Sequence, residues 1–142
     1  RHRYAIMTIG YATSIRDARA QAIFSALEAG SSGGLATFYG ATRPATGVAI
    51  DAQIEVATCI FASPAGVVSN GVLTFSAIEQ DEAGAAEVDI AWVRLSDSDG
   101  NFVADMDCGL SGSDAEFIFD DVTSKLGGGV KIAGGGITEG NI

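Results

Sequence analysis

From Ile50 to Ile60 runs the chain's longest alternation of apolar and polar positions. Ile50, Ala52, Ile54, Val56, Thr58 and Ile60 fall on one side, and Asp51, Gln53 and Glu55 on the other. A period of two over the longest clean run in the chain predicts a half-buried strand of an antiparallel sheet. Leu35 to Gly40 reads as a short aromatic strand. The segment ending at Asn70-Gly71 carries the strongest short turn signal and predicts that Val72 to Ile78 returns as a hairpin partner or through a short loop. Ala115 to Asp121 adds another short strand, and the closing stretch from Val130 a last one, broken by Gly134, Gly135 and Gly136.

One segment has the other period. Ile15, Ala18, Ala22, Ile23, Ala26 and Leu27 recur at helical spacing, with Thr13 or Ser14 placed to cap, Asp17 in the positive first turn and Gly30 as the stop. Its mostly alanine face would let the helix lie close on a sheet, leaving Arg16, Asp17, Arg19 and Glu28 toward water or a partner subunit.

The chain centres on Val88 to Cys108. Val88, Ile90 and Trp92 share a face with Arg94, while Ala91, Val93 and Leu95 line the other. Apolar residues on both faces mark an interior strand, or one covered by the helix. Asp97-Ser98-Asp99-Gly100-Asn101 makes the turn, after which Phe102, Ala104, Met106 and Cys108 alternate with Val103, Asp105 and Asp107. Arg94 is placed to stack on an aromatic ring or to pair with an acid across the sheet. With turn signals every ~8–12 residues, the fold class is mainly β with one N-terminal α-helix: a small antiparallel β-sandwich or barrel, the helix packed on the sheet. Residues 1–9 form an N-terminal arm and 10–142 a single β-rich domain.

Composition narrows the function. Apolar residues make up 47% and charged ones 18%, which is a folding composition. The net charge of −10, with only eight Lys and Arg, argues against direct nucleic-acid binding. No apolar run is long enough to span a membrane, and the start has no secretory h-region. Cys59 and Cys108 lack zinc spacing and are too few for a disulfide framework, so they read as buried free thiols.

Candidate chemistry is sparse. Asp97 to Asn101 resembles the opening of a calcium loop, but Cys108 stands where such a loop needs its glutamate, and a hairpin turn uses the same residues. Asp105, Asp107, Asp114, Asp120 and Asp121 form an acidic rim that reads as a solvated face. The triple glycines at 127–129 and 134–136 lack the lysine and the strand-turn-helix setting of a phosphate loop. His2, the single histidine, lies in the arm, so no Ser-His or Cys-His pair can be drawn in the body. The expectation is a non-enzyme with no cofactor and no metal. Arg1, His2, Arg3 and Tyr4 put a basic tip on an acidic body, either a solvated tail or a docking arm. Together with Arg16, Arg19, Arg43 and Pro44 they are the candidate assembly contacts.

Five segments carry a resemblance: Met7 to Gly30, Phe38 to Gly47 with its TRPATG loop, Asn70 to Ile78, Ala91 to Phe117, and the closing ITEGN. In order and spacing they resemble a family of small proteins from the structural gene clusters of tailed bacteriophages and prophages, most of unassigned role. RHRYAI before Met7 and the two cysteines depart from that pattern. The resemblance implies a virion component, assembled in the host cytoplasm. It looks like a capsid decoration or cement protein that staples neighbouring capsomers; the major capsid protein and/or copies of itself would be its partners, in a homo-oligomer. A tail, neck or self-polymerising fibre subunit held together by its arm is the alternative.

Overall fold

The computed structural model describes residues 10–76, 78–79, 88–110, 117–119 and 134–138. Helix α1 (Thr13–Leu27) precedes β1 (Leu35–Gly40), β2 (Ile54–Phe61), β3 (Gly66–Ser69), β4 (Val72–Phe75), β5 (Ile78–Glu79), β6 (Trp92–Ser96), β7 (Phe102–Leu110), β8 (Phe117–Phe119) and β9 (Gly134–Thr138). In hydrogen-bonded order the strands run β3-β4-β9-β8-β7-β6-β1-β2-β5. The neighbours β5, β2, β1, β6 and β7 are antiparallel, as are β3, β4 and β9. Between these groups β8 pairs parallel with β7, the one departure from the antiparallel expectation among the described strands. The protein is mainly β, sandwich-like, with one helix packed on it.

The order curls back on itself. Strand β4 ends at Phe75 and β5 starts at Ile78, so strands near opposite ends of the order are almost consecutive in the chain. The Phe75 ring meets that of Phe61 on β2 at 4.9 Å. Inside, Ala36 and Phe38 of β1, Ala57, Cys59 and Phe61 of β2, and Val93 and Leu95 of β6 close over Leu27 of the helix.

Alanine, arginine, glutamine and leucine, with no glycine or proline between Ala12 and Ala29, favour the helix locally. Its orientation differs from the one the alanine spacing suggested. Ala20 and Leu27 are buried, with Phe24 packed on the core, whereas Ile15, Ala18 and Ala22 are exposed. Neither Thr13 nor Ser14 caps it; Ala12 holds the N-cap position without a side-chain bond, and Asp17 lies beyond the first turn. Two large side chains one turn apart, Phe24 and Leu27, bury more area than a row of alanines and set the rotation. Arg16, Asp17 and Glu28 are thereby turned from the expected solvent side toward the β3–β4 hairpin. Past the helix the chain squeezes through a tight gap: a Cβ on Gly34 would sit 3.0 Å from the Leu27 carbonyl and 3.1 Å from that of Ser96.

The strand expected from Ile50 begins at Ile54, and its buried side is not the one the alternation marked. Phe38 pairs with Ala57 but Tyr39 with Glu55, so Val56 is an extra, bulged residue. Both Val56 and Ala57 point inward, and beyond them Cys59 and Phe61 are buried while Ile60 remains 42% exposed. A bulge inverts every later position relative to a regular ladder. A second bulge does the same opposite Leu95 and Ser96, which pair with Ala104 and Phe102 and leave Val103 extra. Val103, Ala104 and Cys108 pack on the core with Met106, and Phe102 is sent outward, 44% exposed.

Gly134 to Gly136 do not break the last strand. They lie within β9, and a Cβ on Gly136 would stand 2.9 Å from the Leu73 carbonyl, so glycine lets β9 approach β4 closely. Cys59 on β2 and Cys108 on β7 form no disulfide, and β1 and β6 stand between their strands in the sheet.

Candidate functional site

Bulging at Val103 places Asp105 directly across from Arg94. The guanidinium answers with two bonds, Nε to Oδ1 at 2.8 Å and Nη2 to Oδ2 at 3.0 Å. The Asp105 side chain is fully buried and that of Arg94 is 15% exposed. The bond to Asp105 raises the Arg94 pKa above the ordinary arginine value, against an opposing effect of burial.

Arg94 also lies between two rings, its Cζ 5.4 Å from the centre of Trp92 and 5.3 Å from that of Phe102. Trp92 is wholly buried, stacked on Tyr39 at 4.6 Å with 18° between the planes. Burial, reinforced by Glu55, pushes the Tyr39 phenol up from its usual value. Stacking and ion pairing, offered as alternatives for Arg94 by the sequence, occur together. Trp92 and Arg94 share a face as expected, but Ile90 belongs to the core on the opposite side.

The TRPATG loop lies against this outer face. Gly47 N–H donates to Asp105 Oδ2 at 3.0 Å, a Cβ on Gly47 would touch the Phe102 ring at 3.3 Å, and Arg43 pairs with Asp107 at 3.2 Å. One buried carboxylate thus fixes an arginine of β6 and a backbone amide of the loop. Beside it runs a row across four strands, Ile60, Leu35, Ser96 and Phe102, whose two ends are exposed apolar side chains.

A second junction fastens the helix. Asp17 Oδ1 accepts from Gly71 N–H at 2.6 Å, and Glu28 Oε1 accepts from Ala65 N–H at 2.9 Å, so carboxylates near the two ends of α1 grip the two ends of β3. The Arg16 guanidinium packs across Gly71. Neither contact carries a recognisable sequence signal, because both join a side chain to a backbone amide distant in the chain.

The expected assembly residues are dispersed. Arg16 is half-buried at the hairpin, Arg19 is exposed over the Tyr11 ring at 5.0 Å, Arg43 engages Asp107, and Pro44 is half-buried in the loop. Arg1, His2, Arg3 and Tyr4 lie outside the described residues, as do Asp114, Asp120, Asp121 and the glycines at 127–129.

The acidic turn serves the hairpin. Asp97 Oδ1 accepts from the backbone of Asp99 and Asn101, each at 2.9 Å, and Oδ2 from Asn101 Nδ2 at 2.9 Å. These bonds, that of the Asn101 side chain first, hold the Asp97 pKa below its ordinary value. Among the described residues no group of His, Cys, Asp and Glu is placed to hold a metal ion, and no helix is long and apolar enough to cross a membrane.

No family model, curated protein or solved structure matches the chain.

Proposed function

We propose that the protein is a non-enzymatic structural component of a tailed-phage virion, a capsid decoration or cement subunit that staples neighbouring capsomers. The order and spacing of the segments that resemble the phage family carry this reading. Their arrangement supports it, because the described ones meet in pairs: the TRPATG loop sits on the Trp92 hairpin through Gly47 and Arg43, and the helix segment clasps the Asn70-to-Ile78 segment through Asp17. A pinned loop beside an apolar sheet row gives a stiff surface that needs little ordering on docking, and many copies on one shell multiply a modest affinity by avidity.

The deciding experiment mixes the purified protein with assembled heads and, separately, with isolated tails, followed by sedimentation and imaging. Saturable binding to heads at a fixed copy number, with none to tails, is expected. Recovery with tails alone, or filaments formed by the protein alone, would make it a tail or fibre subunit instead.

A further inference from the structure

The β3–β4 hairpin turns on Asn70-Gly71, both residues at positive φ (53° and 77°). Asn-Gly is the dipeptide in which an asparagine most readily cyclises onto its own backbone, since glycine has no Cβ to crowd the closing ring. The Gly71 nitrogen gives up its proton and attacks Asn70 Cγ. A new N–Cγ bond forms, the Cγ–Nδ2 bond breaks, and the side-chain nitrogen leaves as ammonia with that proton. Water then opens the succinimide at either carbonyl, leaving an aspartyl or isoaspartyl residue at position 70.

The fold protects the nucleophile and exposes the leaving group. Asn70 is exposed, whereas Gly71 is buried beneath the Arg16 guanidinium. The Gly71 N–H points at Asp17 Oδ1, 2.6 Å away. A carboxylate at that distance opposes formation of an amide anion, and the hydrogen bond must be given up before the nitrogen can lose its proton. Undocking the first half of α1 removes both the carboxylate and the guanidinium cover.

We propose that Asn70 is a deamidation site gated by α1, closed while Asp17 holds Gly71 and open when the helix lifts. The product places a new carboxylate beside Asp17, and in the isoaspartyl form one more methylene in the backbone of a two-residue turn whose register depends on its length. Like-charge repulsion then opposes redocking, so each opening that ends in reaction loosens the clasp for good.

Peptide mapping of the full chain incubated at neutral pH, beside a synthetic peptide spanning residues 67–74, tests this. A charge-assisted hydrogen bond corresponds to protection of roughly ten- to a hundred-fold, so position 70 should deamidate more slowly by that factor in the protein than in the peptide. Asp17→Ala should recover most of the difference, and Asp17→Asn, which keeps the acceptor without the charge, should fall between. Hydrogen exchange of the Gly71 amide, measured in each variant and in wild type at sub-denaturing urea, should rise in proportion to the deamidation rate. Equal rates in protein and peptide would overturn the proposal. So would deamidation that changes without a matching change in Gly71 exchange, even where Asp17→Ala proves unstable.

Discussion

Arg94 and Asp105 form a two-point ion pair on the outer face of the sheet, and the same carboxylate accepts the Gly47 amide of the TRPATG loop. Removing one partner of a buried pair leaves the other charge uncompensated, which typically costs 3–5 kcal/mol. Because Arg94 keeps 15% exposure, Asp105→Ala should destabilise by about 2–4 kcal/mol. Arg94→Met with Asp105→Leu should restore most of that loss, since apolar replacements of both partners carry no desolvation cost. Urea unfolding of the two variants beside wild type measures it. Proteolytic cleavage within residues 41–53 should accelerate in both Asp105 variants, because neither can hold Gly47.

Trp92 is the single tryptophan, wholly buried against Tyr39 and Arg94, and its Nε1 has no hydrogen-bond partner among the described residues. Its emission should therefore be that of an apolar site, and should move to longer wavelength in Asp105→Ala as the loop comes off. Trp92→Ala should lose about 3–5 kcal/mol through the cavity it opens. Trp92→Phe should lose much less, since the nitrogen makes no bond among the described residues that phenylalanine would miss. A stability change in Trp92→Ala below about 0.5 kcal/mol would contradict the burial.

How far these contacts could be read from the chain depends on the two bulges. Pairing Ser96 with Phe102 and counting outward along a regular ladder sets Arg94 opposite Ala104; the extra Val103 shifts Asp105 into that place. The sequence offered an acid across the sheet as one of two partners for Arg94, but which acid rests on a local backbone irregularity that leaves no compositional trace. Val56 works in the same way. Its alternation pattern is real, yet the bulge puts Ile60 outside and Phe61 inside. Signals confined to a few neighbouring residues were legible: the Asn70-Gly71 hairpin, the turn from Asp97 to Asn101, the existence of the helix, and hence the fold class. The helix's rotation was not, because it is set by what Phe24 and Leu27 meet in a distant part of the chain.

Acid should weaken the hairpin through Asp97. Its folded pKa lies below the ordinary carboxylate value of 3.8, because the Asn101 side chain and the turn's backbone amides favour the charged form. A group depressed in this way contributes its stability above the unfolded value and loses it as pH falls through the folded one. Thermal unfolding should show wild type losing stability below that value, while Asp97→Ala starts less stable at neutral pH and depends less on acid. Parallel curves for the two proteins would mean that the turn bonds do not favour the charged form.

Every buried core side chain described lies at Ala20 or later. Deleting Arg1 to Ile6 therefore removes no described core contact, and the stability of the remainder should stay within about 0.5 kcal/mol of the full chain. The deletion does remove two arginines and the histidine from a chain of net charge −10, and with them the basic tip that an acidic neighbour would attract. If the protein decorates heads through that arm, the truncated form should bind them several-fold more weakly, and added salt should narrow the gap, because screening acts on the charged contribution alone. Equal binding at low salt would take the arm out of assembly and leave the loop and the apolar row from Ile60 to Phe102 as the docking surface. A salt-independent loss would instead assign the arm an apolar role through Tyr4 and Ile6.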